Sequence, residues 1–317
     1  MPQAALFPAA PRRETPDRET PARDLPDRDL SDRAPPAAAV IIPHYNDLAR
    51  LARCLAALMP QVDAATEVVV VDNGSAADLA PVLAAHPGLR LVTEPAKGAA
   101  NARNRGVAET QAPLLVFLDC DCVPGPGWLA AAFAAAGKGD LVGGRVEVFD
   151  ETPGPRSGAQ AFEAVFAFDN RGYVLRKGFS VTANLVTRRD VFAATGPFVH
   201  GVSEDLDWCR RATARGFRLA YDDALQVGHP TRSDWAALAR KWRRTTAEGF
   251  GVNGRTPRRR LVWALRALAM PASVLAHAPR VLRHPALTGG ERVRALATLA
   301  RLRLARMGWM LRQAAGG

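Results

Sequence analysis

Cysteine is scarce in this sequence, and the four that occur do not form the patterns of disulfide-rich or zinc-binding proteins. The 317 residues contain only Cys54, Cys120, Cys122 and Cys209, with no paired Cys-x-x-Cys spacing. A chain of this length can bury a hydrophobic core without a disulfide framework, and four free thiols fit a reducing cytosol most simply. The cysteine pattern therefore predicts a cytoplasmic protein.

Long apolar segments are also missing. The nearest candidate spans residues 261–276, but Arg266 and Pro271 interrupt it. A membrane-spanning helix needs about 20 predominantly apolar residues. No apolar stretch of the signal-peptide type follows Met1. The sequence therefore predicts neither a transmembrane helix nor a signal peptide.

Acidic residues are almost absent from the last part of the chain. Residues 255–317 hold 13 arginines, no lysine and one acid, Glu291, a net charge of +12. Since the whole chain carries +11, the remaining residues are close to neutral. The basicity is therefore a property of a C-terminal tail, and any anionic partner that it attracts is a partner of that tail.

Residues 1–36 lack the apolar content of a folded segment. They contain the repeats PDRET, PARDL, PDRDL and SDRAP, with many prolines and charges of both signs. Such a segment buries too little surface to offset the entropy of ordering it. We expect a disordered leader, or alternatively a peptide ligand for a partner, ahead of a folded domain at 37–251 and a tail at 252–317.

The folded part begins with alternating strand and helix patterns. Strands are predicted at 37–42, 67–71, 89–92 and 114–118, and helices at 47–59, 79–85 and 98–110. This alternation predicts a parallel sheet with helices on both faces, in which ligands bind beyond the carboxyl ends of the strands. Further strands are predicted at 141–149, 181–187 and 219–227, and further helices at 160–169, 205–215 and 235–246.

The segment FLDCDCVP, residues 117–124, closes the fourth strand. In an extended chain Asp119 and Asp121 would share one face, and Cys120 and Cys122 would pack on the other. Two carboxylates at a strand end suit a hard cation such as Mg²⁺ or Mn²⁺. The alternatives are aspartates that cap a turn before Pro-Gly, and a thiol redox site, which is disfavoured because no Cys-x-x-Cys opens a helix.

Two other segments have the chemistry of a nucleotide site. The strand end VDNGS places Asp72 where it could accept a hydrogen bond from a base or a ribose, or where it could simply form an Asp-Asn-Gly turn. The segment KGAANARNRG, residues 97–106, places Lys97, Arg103 and Arg105 near a helix N-terminus. Such cations suit a diphosphate, although a solvated helix face would look the same.

Acids and a histidine in the second half offer acid–base chemistry. The segment GVSEDLDWCRR contains Glu204, Asp205 and Asp207 around a helix start, one acid more than capping requires. One of the three could serve as a general base. His229, in VGHP, follows a strand and could be a ligand or a structural residue.

Seven motifs in order resemble the family 2 glycosyltransferases with the GT-A fold. They are IIPHYN, VDNGS, KGAANARNRG, FLDCDCVP, VTANLVTRRDVF, SEDLDWCRR and VGHP. The resemblance runs from about residue 37 to about residue 251. The resemblance implies an α/β fold with a Rossmann-like, mixed and mostly parallel sheet flanked by helices. It also implies transfer of a sugar from a nucleotide-diphosphate sugar, with inversion and a divalent cation, Mg²⁺ or Mn²⁺.

The same resemblance assigns residues to the donor. Residues expected to line the nucleotide pocket are Pro43, Tyr45, Asn46 and Asp72, the last contacting the base. Residues expected near the ribose and diphosphate are Lys97, Gly98, Arg103 and Asn104. Asn184 is expected beside the donor sugar.

It also assigns a metal site and a base. Asp121 is expected to ligate the cation, together with Asp119, which also contacts ribose or sugar, and His229. Glu204 and Asp205 are expected on the acceptor side, with Asp205 as the base. Growing charge on the leaving diphosphate needs such a cation, and the acceptor hydroxyl needs such a base.

Two missing motifs and one set of acids that is present narrow the function. The Gln-x-x-Arg-Trp motif of processive relatives is absent, and KWRRTTAEG stands at 241–249, which favours addition of a single sugar. Lys241, Arg243 and Arg244 in that segment could touch a diphosphate or an anionic acceptor, or form a solvated face.

No Gly-x-Gly-x-x-G follows the first strand, which disfavours an NAD-dependent oxidoreductase. The presence of all expected acids disfavours a degenerate protein that binds nucleotide sugars without turnover.

The tail combines arginines with helical apolar spacing, as in LVWALRALAM and RVRALATLARLRLARMGWMLR. Helices of this kind lie on anionic membrane surfaces. We therefore expect peripheral binding to the inner face of the cell membrane, with an acceptor that is an oligosaccharide or is carried on a lipid, in envelope polysaccharide or glycolipid synthesis. The alternative is that these helices pack on the catalytic domain. Nucleic acid is not expected, because clusters of aromatic residues for base stacking are lacking.

Overall fold

The structure, a computed structural model, describes residues 36–253 and 256–316. The predicted leader at 1–36 lies outside these residues except for its last position, so it stays a prediction. The strands are β1 (Ala38–His44), β2 (Thr66–Asp72), β3 (Leu89–Thr93), β4 (Leu114–Leu118), β5 (Val123–Pro124), β6 (Leu141–Phe149), β7 (Asn184–Arg188) and β8 (Leu219–Pro230).

Helices make up most of the rest of the described chain. They are α1 (Leu48–Leu58), α2 (Ala80–Ala85), α3 (Ala99–Ala108), α4 (Trp128–Ala135), α5 (Gly158–Phe166), α6 (Asn170–Gly172), α7 (Arg189–Thr195), α8 (Glu204–Ala214), α9 (Trp235–Asn253), α10 (Pro257–Leu268), α11 (Ser273–Leu282) and α12 (Gly289–Ala315). A 3₁₀ turn, Met59–Gln61, follows α1, and a π-helical turn, Tyr173–Lys177, follows α6.

The eight strands form one mixed sheet in the order β3-β2-β1-β4-β7-β6-β8-β5. Strands β1 to β4 pair in parallel, and so do β6 and β8, whereas β7 runs antiparallel to both β4 and β6. The short strand β5 pairs antiparallel with β8 at the edge. The predicted fold class, a mixed and mostly parallel sheet flanked by helices, is confirmed.

Alternating side chains of the central strands enter two separate cores. Val40 and Val116 pack with α1 and α4 on one face, and Ile41 and Phe117 pack with α3, α7 and α8 on the other. All four side chains are fully buried. Because consecutive side chains of a strand point to opposite faces, near-continuous apolar runs are the pattern expected for strands covered on both sides. This arrangement leaves the carboxyl ends of the strands as the open edge of the sheet.

A buried amide joins the strands in the second half of the sheet. Asn184 is fully buried, and its Oδ1 accepts a hydrogen bond of 2.9 Å from Trp128 Nε1. Its Nδ2 donates to the carbonyl oxygens of Arg145 and Leu225, on β6 and β8, at 3.0 and 2.7 Å. A Cβ at Gly144 would overlap both the Asn184 amide and the Leu225 carbonyl. The close approach of β6 and β8 therefore requires glycine at position 144.

The C-terminal helices pack against the rest of the folded chain, which is the second of the two arrangements considered for the tail. Leu299 and Leu302 of α12 share a buried cluster with Phe162 of α5 and Leu238 of α9. The first turn of α12 is closed by a capping box, and its Glu291 also accepts a hydrogen bond from the Arg156 backbone. Burial of this apolar surface stabilises the tail on the domain at roughly 25 cal/mol per Å².

Part of the tail nevertheless stays exposed. Leu261, Leu265 and Leu268 of α10 and Leu275 of α11 are solvent-exposed, Leu275 to 80%. Among the described residues no individual helix has the length and apolar character of a membrane span. Helices α10 and α11 meet that test only as a pair, across a bend of 51°.

Sequence analysis does not predict α4 or α7, and it begins the seventh strand three residues too early. The sequence WLAAAFAA of α4 is apolar on every side, so it has no helical periodicity to detect. Helix α9 continues to Asn253, beyond its predicted end at 246.

Candidate active site

A cleft of about 920 Å³ opens at the carboxyl ends of the strands. It brings together ten of the residues that the sequence assigned to a site: Pro43, Tyr45, Lys97, Gly98, Arg103, Asp119, Asp121, Glu204, Asp205 and His229. The other four, Asn46, Asp72, Asn104 and Asn184, do not line it, and their hydrogen bonds are described below. Ten of the fourteen predicted site residues therefore meet in one cleft.

The segment after β4 is a turn and not an extended strand end. The Cys122 N–H donates to the Asp119 carbonyl at 3.0 Å, which closes the turn. The prediction of two alternating faces is wrong for this reason. Asp119 and Asp121 do both line the cleft, but Cys120 lines it with them, and only Cys122 is fully buried in the core. Burial raises the pKa of both thiols, so neither has the thiolate character of a redox cysteine.

Asp121 faces His229 across the cleft floor. Asp121 Oδ2 lies 3.3 Å from His229 Nε2, and His229 Nδ1 lies 2.7 Å from the Pro230 carbonyl oxygen. Burial would raise the pKa of Asp121, but the facing His229, then Arg232 and Arg50, lowers it well below its usual range. Among the described residues no group of three or more His, Cys, Asp or Glu side chains could hold a metal.

Arg103 joins the donor and acceptor sides of the cleft. Its guanidinium is buried, with 3% of the residue exposed, and it bonds Asp119 Oδ1 at 2.5 Å and Glu204 Oε1. Burial would lower the pKa of Arg103, but Asp119, Glu204 and Asp205 raise it above its ordinary value. Arg103 therefore stays charged and fixes two of the predicted acids relative to each other.

Asp205 is a half-buried carboxylate in the first turn of α8. Its Oδ1 accepts hydrogen bonds from the Thr182 N–H at 3.1 Å and from Thr182 Oγ1 at 2.7 Å. Burial raises the pKa of Asp205 to about 6; Arg103 opposes the rise and Glu204 adds to it. No described residue donates to its Oδ2. Asp205 is thus poised to exchange a proton near neutral pH. Thr182 was not predicted from the sequence.

Asp72 belongs to a buried network at the ends of β1 and β2. The Asp47 N–H donates to His44 Nε2 at 3.2 Å, so the ring carries its hydrogen on Nδ1 and donates to Asp72 Oδ1 at 3.1 Å. Ser75 Oγ also donates to Asp72 Oδ1, at 2.5 Å. Burial would raise the pKa of Asp72, but the bonds from Ser75 and His44 lower it.

Asn46 holds the neighbouring loop. Its Oδ1 accepts from the Ala76 N–H and its own N–H donates to Ser75 Oγ, both at 2.8 Å. At this strand end the cleft is lined by Tyr45 and by Asn73, the residue after Asp72.

Asn73 shapes the loop that carries Lys97 and Gly98. Its amide donates to the carbonyls of Glu94 and Ala96 and accepts from the Gly98 N–H at 2.7 Å. Lys97 Nζ donates to the carbonyls of Asn73 and Gly74, both at 3.0 Å, and lies 4.4 Å from the Tyr45 ring centre. Gly98 has a φ of +125°, and a Cβ there would overlap the His200 ring.

Asn104 has a supporting role like that of Asn184. Its side-chain amide exchanges two hydrogen bonds of 2.9 Å with the N–H and the carbonyl of Phe198. This pair anchors the loop between α7 and α8, which leads to Glu204 and Asp205. Beside the buried Asn184, the residues that reach the cleft are Val181, Thr182 and Ala183.

A cationic wall faces the Asp121–His229 pair, and sequence analysis identified only part of it. Glu163 of α5, 1% exposed, accepts bonds from Arg232 Nη1 at 2.9 Å and Lys241 Nζ at 3.0 Å. Burial would raise the pKa of Glu163, but these two cations lower it. Two features of the sequence could have identified these residues as part of the site. Arg232 lies three residues beyond His229, and Glu163 is the one acid of an apolar helix. Arg244 and Arg306 also line the cleft, whereas Arg243 is exposed outside it.

Two solved structures show a partial structural likeness to this chain. The mannosyltransferase PcManGT from Pyrobaculum calidifontis, in complex with GDP-Man and Mn²⁺, has a TM-score of 0.49 and 21% identity, covering 90% of this chain and 76% of that chain. S. aureus TarS 1-349, in complex with UDP-GlcNAc, has a TM-score of 0.49 and 15% identity, covering 84% of this chain and 90% of that chain.

Sequence comparisons place the chain in a family. Glycosyltransferase AglE of Haloferax volcanii is 32% identical over 219 residues, which cover 66% of this chain and 71% of AglE. The pre-mycofactocin glycosyltransferase of Mycobacterium tuberculosis is 29% identical over 213 residues, and the match spans 44% of its length. The family model of Glycosyl transferase family 2 matches residues 39–198, half of the chain. The chain is therefore a glycosyltransferase and belongs to glycosyl transferase family 2.

Proposed function

We propose that this glycosyltransferase moves a single sugar from a nucleotide-diphosphate sugar to an acceptor hydroxyl, with inversion. The observation that carries the proposal is the half-buried Asp205, whose raised pKa and free Oδ2 equip it as a base in the same cleft as Asp121 and His229. Inversion requires a base on the face opposite the leaving group, and Asp205 would fill that role.

The donor set fits a divalent cation. Asp121 Oδ2 and His229 Nε2 lie 3.3 Å apart in the cleft. A carboxylate oxygen and an imidazole nitrogen are both groups that ligate metal ions. Mg²⁺ and Mn²⁺ sites commonly combine one or two protein ligands with substrate phosphates. A cation bound by Asp121 and His229, with Asp119 nearby, would stabilise negative charge on the leaving diphosphate.

The remaining residues position the substrates. Lys97 and the Gly98 N-terminus of α3 would face the donor's phosphates and ribose, and Arg232 and Lys241 would add positive charge. Arg103 holds Asp119 on the donor side and Glu204 on the acceptor side. Thr182 fixes Oδ1 of Asp205, so Oδ2 is available to accept the proton of the acceptor hydroxyl.

A screen of nucleotide sugars with and without Mn²⁺, reading transfer or hydrolysis, tests this proposal. Asp205→Asn should lose turnover and keep donor binding. Asp207→Asn is the matched control, since Asp207 lies on the same helix but pairs with Arg211 at 2.9 Å outside the cleft. Turnover by the Asp205 variant would reject the base. Thermal stabilisation by NAD alone, and not by UDP or GDP, would reject the transferase site.

We also propose that the tail binds the inner face of an anionic membrane and brings the cleft to a lipid-borne acceptor. The exposed leucines of α10 and α11 form an apolar surface, and Arg258, Arg259, Arg260 and Arg266 stand beside it. An apolar face with cationic flanks suits the interface of an anionic bilayer. Envelope polysaccharide or glycolipid synthesis would supply such acceptors.

Vesicle co-sedimentation tests the membrane proposal. The full chain should sediment with vesicles containing anionic lipid and much less with neutral ones, and the binding should weaken with salt. Leu275→Asp should reduce it. Val199→Asp, at an exposed apolar residue of the loop between α7 and α8 and therefore outside the tail, is the control. Equal sedimentation with neutral and anionic vesicles would contradict the charge argument.

A further inference from the structure

Arg306 is a cleft residue whose positive charge has no counterpart in the described part of the chain. It lies on α12, and its guanidinium stacks on the Trp242 ring of α9, 4.7 Å from the ring centre. Its Nε is inaccessible to solvent and has no hydrogen-bond partner, and no carboxylate of the described residues forms an ion pair with it. Burial, together with the charge of Arg303, lowers the pKa of Arg306 to about 10.

The other buried cations of the cleft are neutralised by acids. Arg103 has Asp119 and Glu204, and Arg232 and Lys241 share Glu163. A guanidinium that is taken out of water without a carboxylate is destabilising. Such a group is retained most readily where a bound anion completes it. Arg306 therefore differs from its neighbours in a way that indicates a ligand.

Arg306 lies on a wall of the cleft that extends from the proposed donor side towards the acceptor side. The wall that carries it consists of α9 and α12, which follow the residues 39–198 matched by the family model. The cleft-facing residues of α9 extend from Lys241 to Glu248. Burial raises the pKa of Glu248, and the charge of Asp205 adds to that rise, so this wall extends to the acceptor side. The diphosphate of a donor would already be faced by Arg232 and Lys241.

We infer that Arg306, with Arg244 on the neighbouring helix α9, forms a binding site for a phosphate group carried by the acceptor. This inference rests on the proposed function and specifies its acceptor class, whether the phosphate belongs to a soluble molecule or to a lipid carrier. The planar fork of a guanidinium matches two phosphate oxygens, and stacking on Trp242 fixes the plane of that fork. Arg244, paired only loosely with Glu248 at 3.8 Å, adds a second cation.

Calorimetric titration with inorganic phosphate tests the site. The full chain is first saturated with Mg²⁺ and either UDP or GDP, so that the donor subsite is filled. Arg306→Gln should weaken phosphate binding about tenfold, the loss expected for one charge-assisted pair. Its affinity for the nucleoside diphosphate should change less than about twofold. Arg306→Lys, which keeps the charge but loses the fork, should have an intermediate effect.

Arg301→Gln is the matched control. Arg301 lies on the same helix and stacks on Trp235, with its guanidinium 4.0 Å from the ring centre, but it does not line the cleft. The inference is overturned if Arg306→Gln keeps its phosphate affinity, or if Arg301→Gln loses as much. It is also overturned if Arg306→Gln weakens nucleotide binding about tenfold, because Arg306 would then serve the donor.

Two further measurements separate failure of the phosphate site from failure of the proposed function, and a soluble phosphate from a lipid-borne one. If wild-type protein binds neither UDP nor GDP, the proposed function fails, and the phosphate titration without nucleotide still tests Arg306. Glycerol phosphate and a short prenyl phosphate in micelles, titrated separately, identify a soluble or a lipid-borne source. A loss of binding for either ligand in Arg306→Gln supports the site, and unchanged binding of both ligands overturns it.

Discussion

Replacing Asp205 by asparagine should abolish turnover and make the protein more stable above pH 6. The ordinary pKa of an aspartate is 3.8, and burial raises that of Asp205 to about 6. The folded protein therefore holds this proton more tightly than the unfolded chain does. Asparagine has nearly the same shape as aspartate, carries no charge and can still accept the hydrogen bonds from Thr182. The variant therefore lacks the base, and it also lacks the free-energy cost of holding a charged carboxylate in the folded protein.

The magnitude follows from the difference between the two pKa values. A rise from 3.8 to about 6 corresponds to about 3 kcal/mol. Solvent in the cleft reduces this value, so a gain of about 1 to 3 kcal/mol is expected for the variant at pH 8. Below pH 4 the carboxyl group is protonated in both states and the gain disappears. Between those limits the wild type loses stability as the pH rises through about 6, and the asparagine variant does not.

Urea unfolding at pH 4, 6 and 8, followed for wild type and Asp205→Asn, measures this difference. The gap between the two free energies of unfolding should open as the pH rises. Turnover of the variant should fall by a factor of about 10² to 10⁴, the usual contribution of a general base. Wild-type kcat/KM should drop about tenfold from pH 8 to pH 5. A variant that is less stable than wild type at pH 8, or that keeps most of its turnover, would refute the reasoning.

Three other substitutions test the supports of the cleft. Gly98→Ala should destabilise the protein by about 2 kcal/mol or more and weaken nucleotide binding, because its φ is +125° and its Cβ would overlap His200. Gly88→Ala shares the positive φ, at +98°, but has nothing within 4 Å of its Cβ, so it should cost less and leave nucleotide binding unchanged; urea unfolding and titration with UDP or GDP measure both effects. Trp128→Phe should cost about 1 to 3 kcal/mol in urea unfolding, because Asn184 Oδ1 loses its donor inside the core; an unchanged midpoint would show that the bond is unimportant. Glu163→Gln should cost about 3 kcal/mol, because two buried cations lose their carboxylate; unchanged stability in the same assay would contradict this assignment.

Local sequence patterns predicted strands β1 to β4, which form one half of the sheet. Apolar runs closed by polar residues marked β1, β2, β3 and β4, and the end of β4 was predicted to the residue at Leu118. Because parallel strands bring their carboxyl ends to one edge, the acids after them had to meet. Ten of the fourteen predicted site residues line one cleft for this reason.

The remaining four do not line the cleft, and their assignment to the site stays a prediction. Asn104 and Asn184 are polar residues of a type that often binds ligands. In this structure the Asn104 amide is hydrogen-bonded to the Phe198 backbone, and the Asn184 amide to Trp128. Asp72 is similarly engaged by His44 and Ser75. These partners become neighbours only through tertiary packing, and a single sequence does not reveal which polar groups will find one another.

The tail also shows that composition alone does not determine tertiary packing. Its composition predicts an amphipathic surface, and α10 and α11 do expose leucines. Composition did not decide between packing and exposure, because α12 turns one apolar side to α5 and α9. Arg306 lies far along the chain from the Trp242 that it stacks on, so its place in the cleft follows only from that packing.

The contact between α5 and α12 joins parts of the chain that the ribosome synthesises at different times. The bond from Arg156 to Glu291 joins residues 135 positions apart, and the apolar side of α5, including Phe162, is covered by the same helix. At elongation rates of about 5 to 20 residues per second, α5 is complete roughly 7 to 27 s before its cover is synthesised. During that interval the nascent chain exposes an aromatic surface of the kind that chaperones bind. Helix α12, which is synthesised well after α5, is thus the helix that covers this core and completes the cleft.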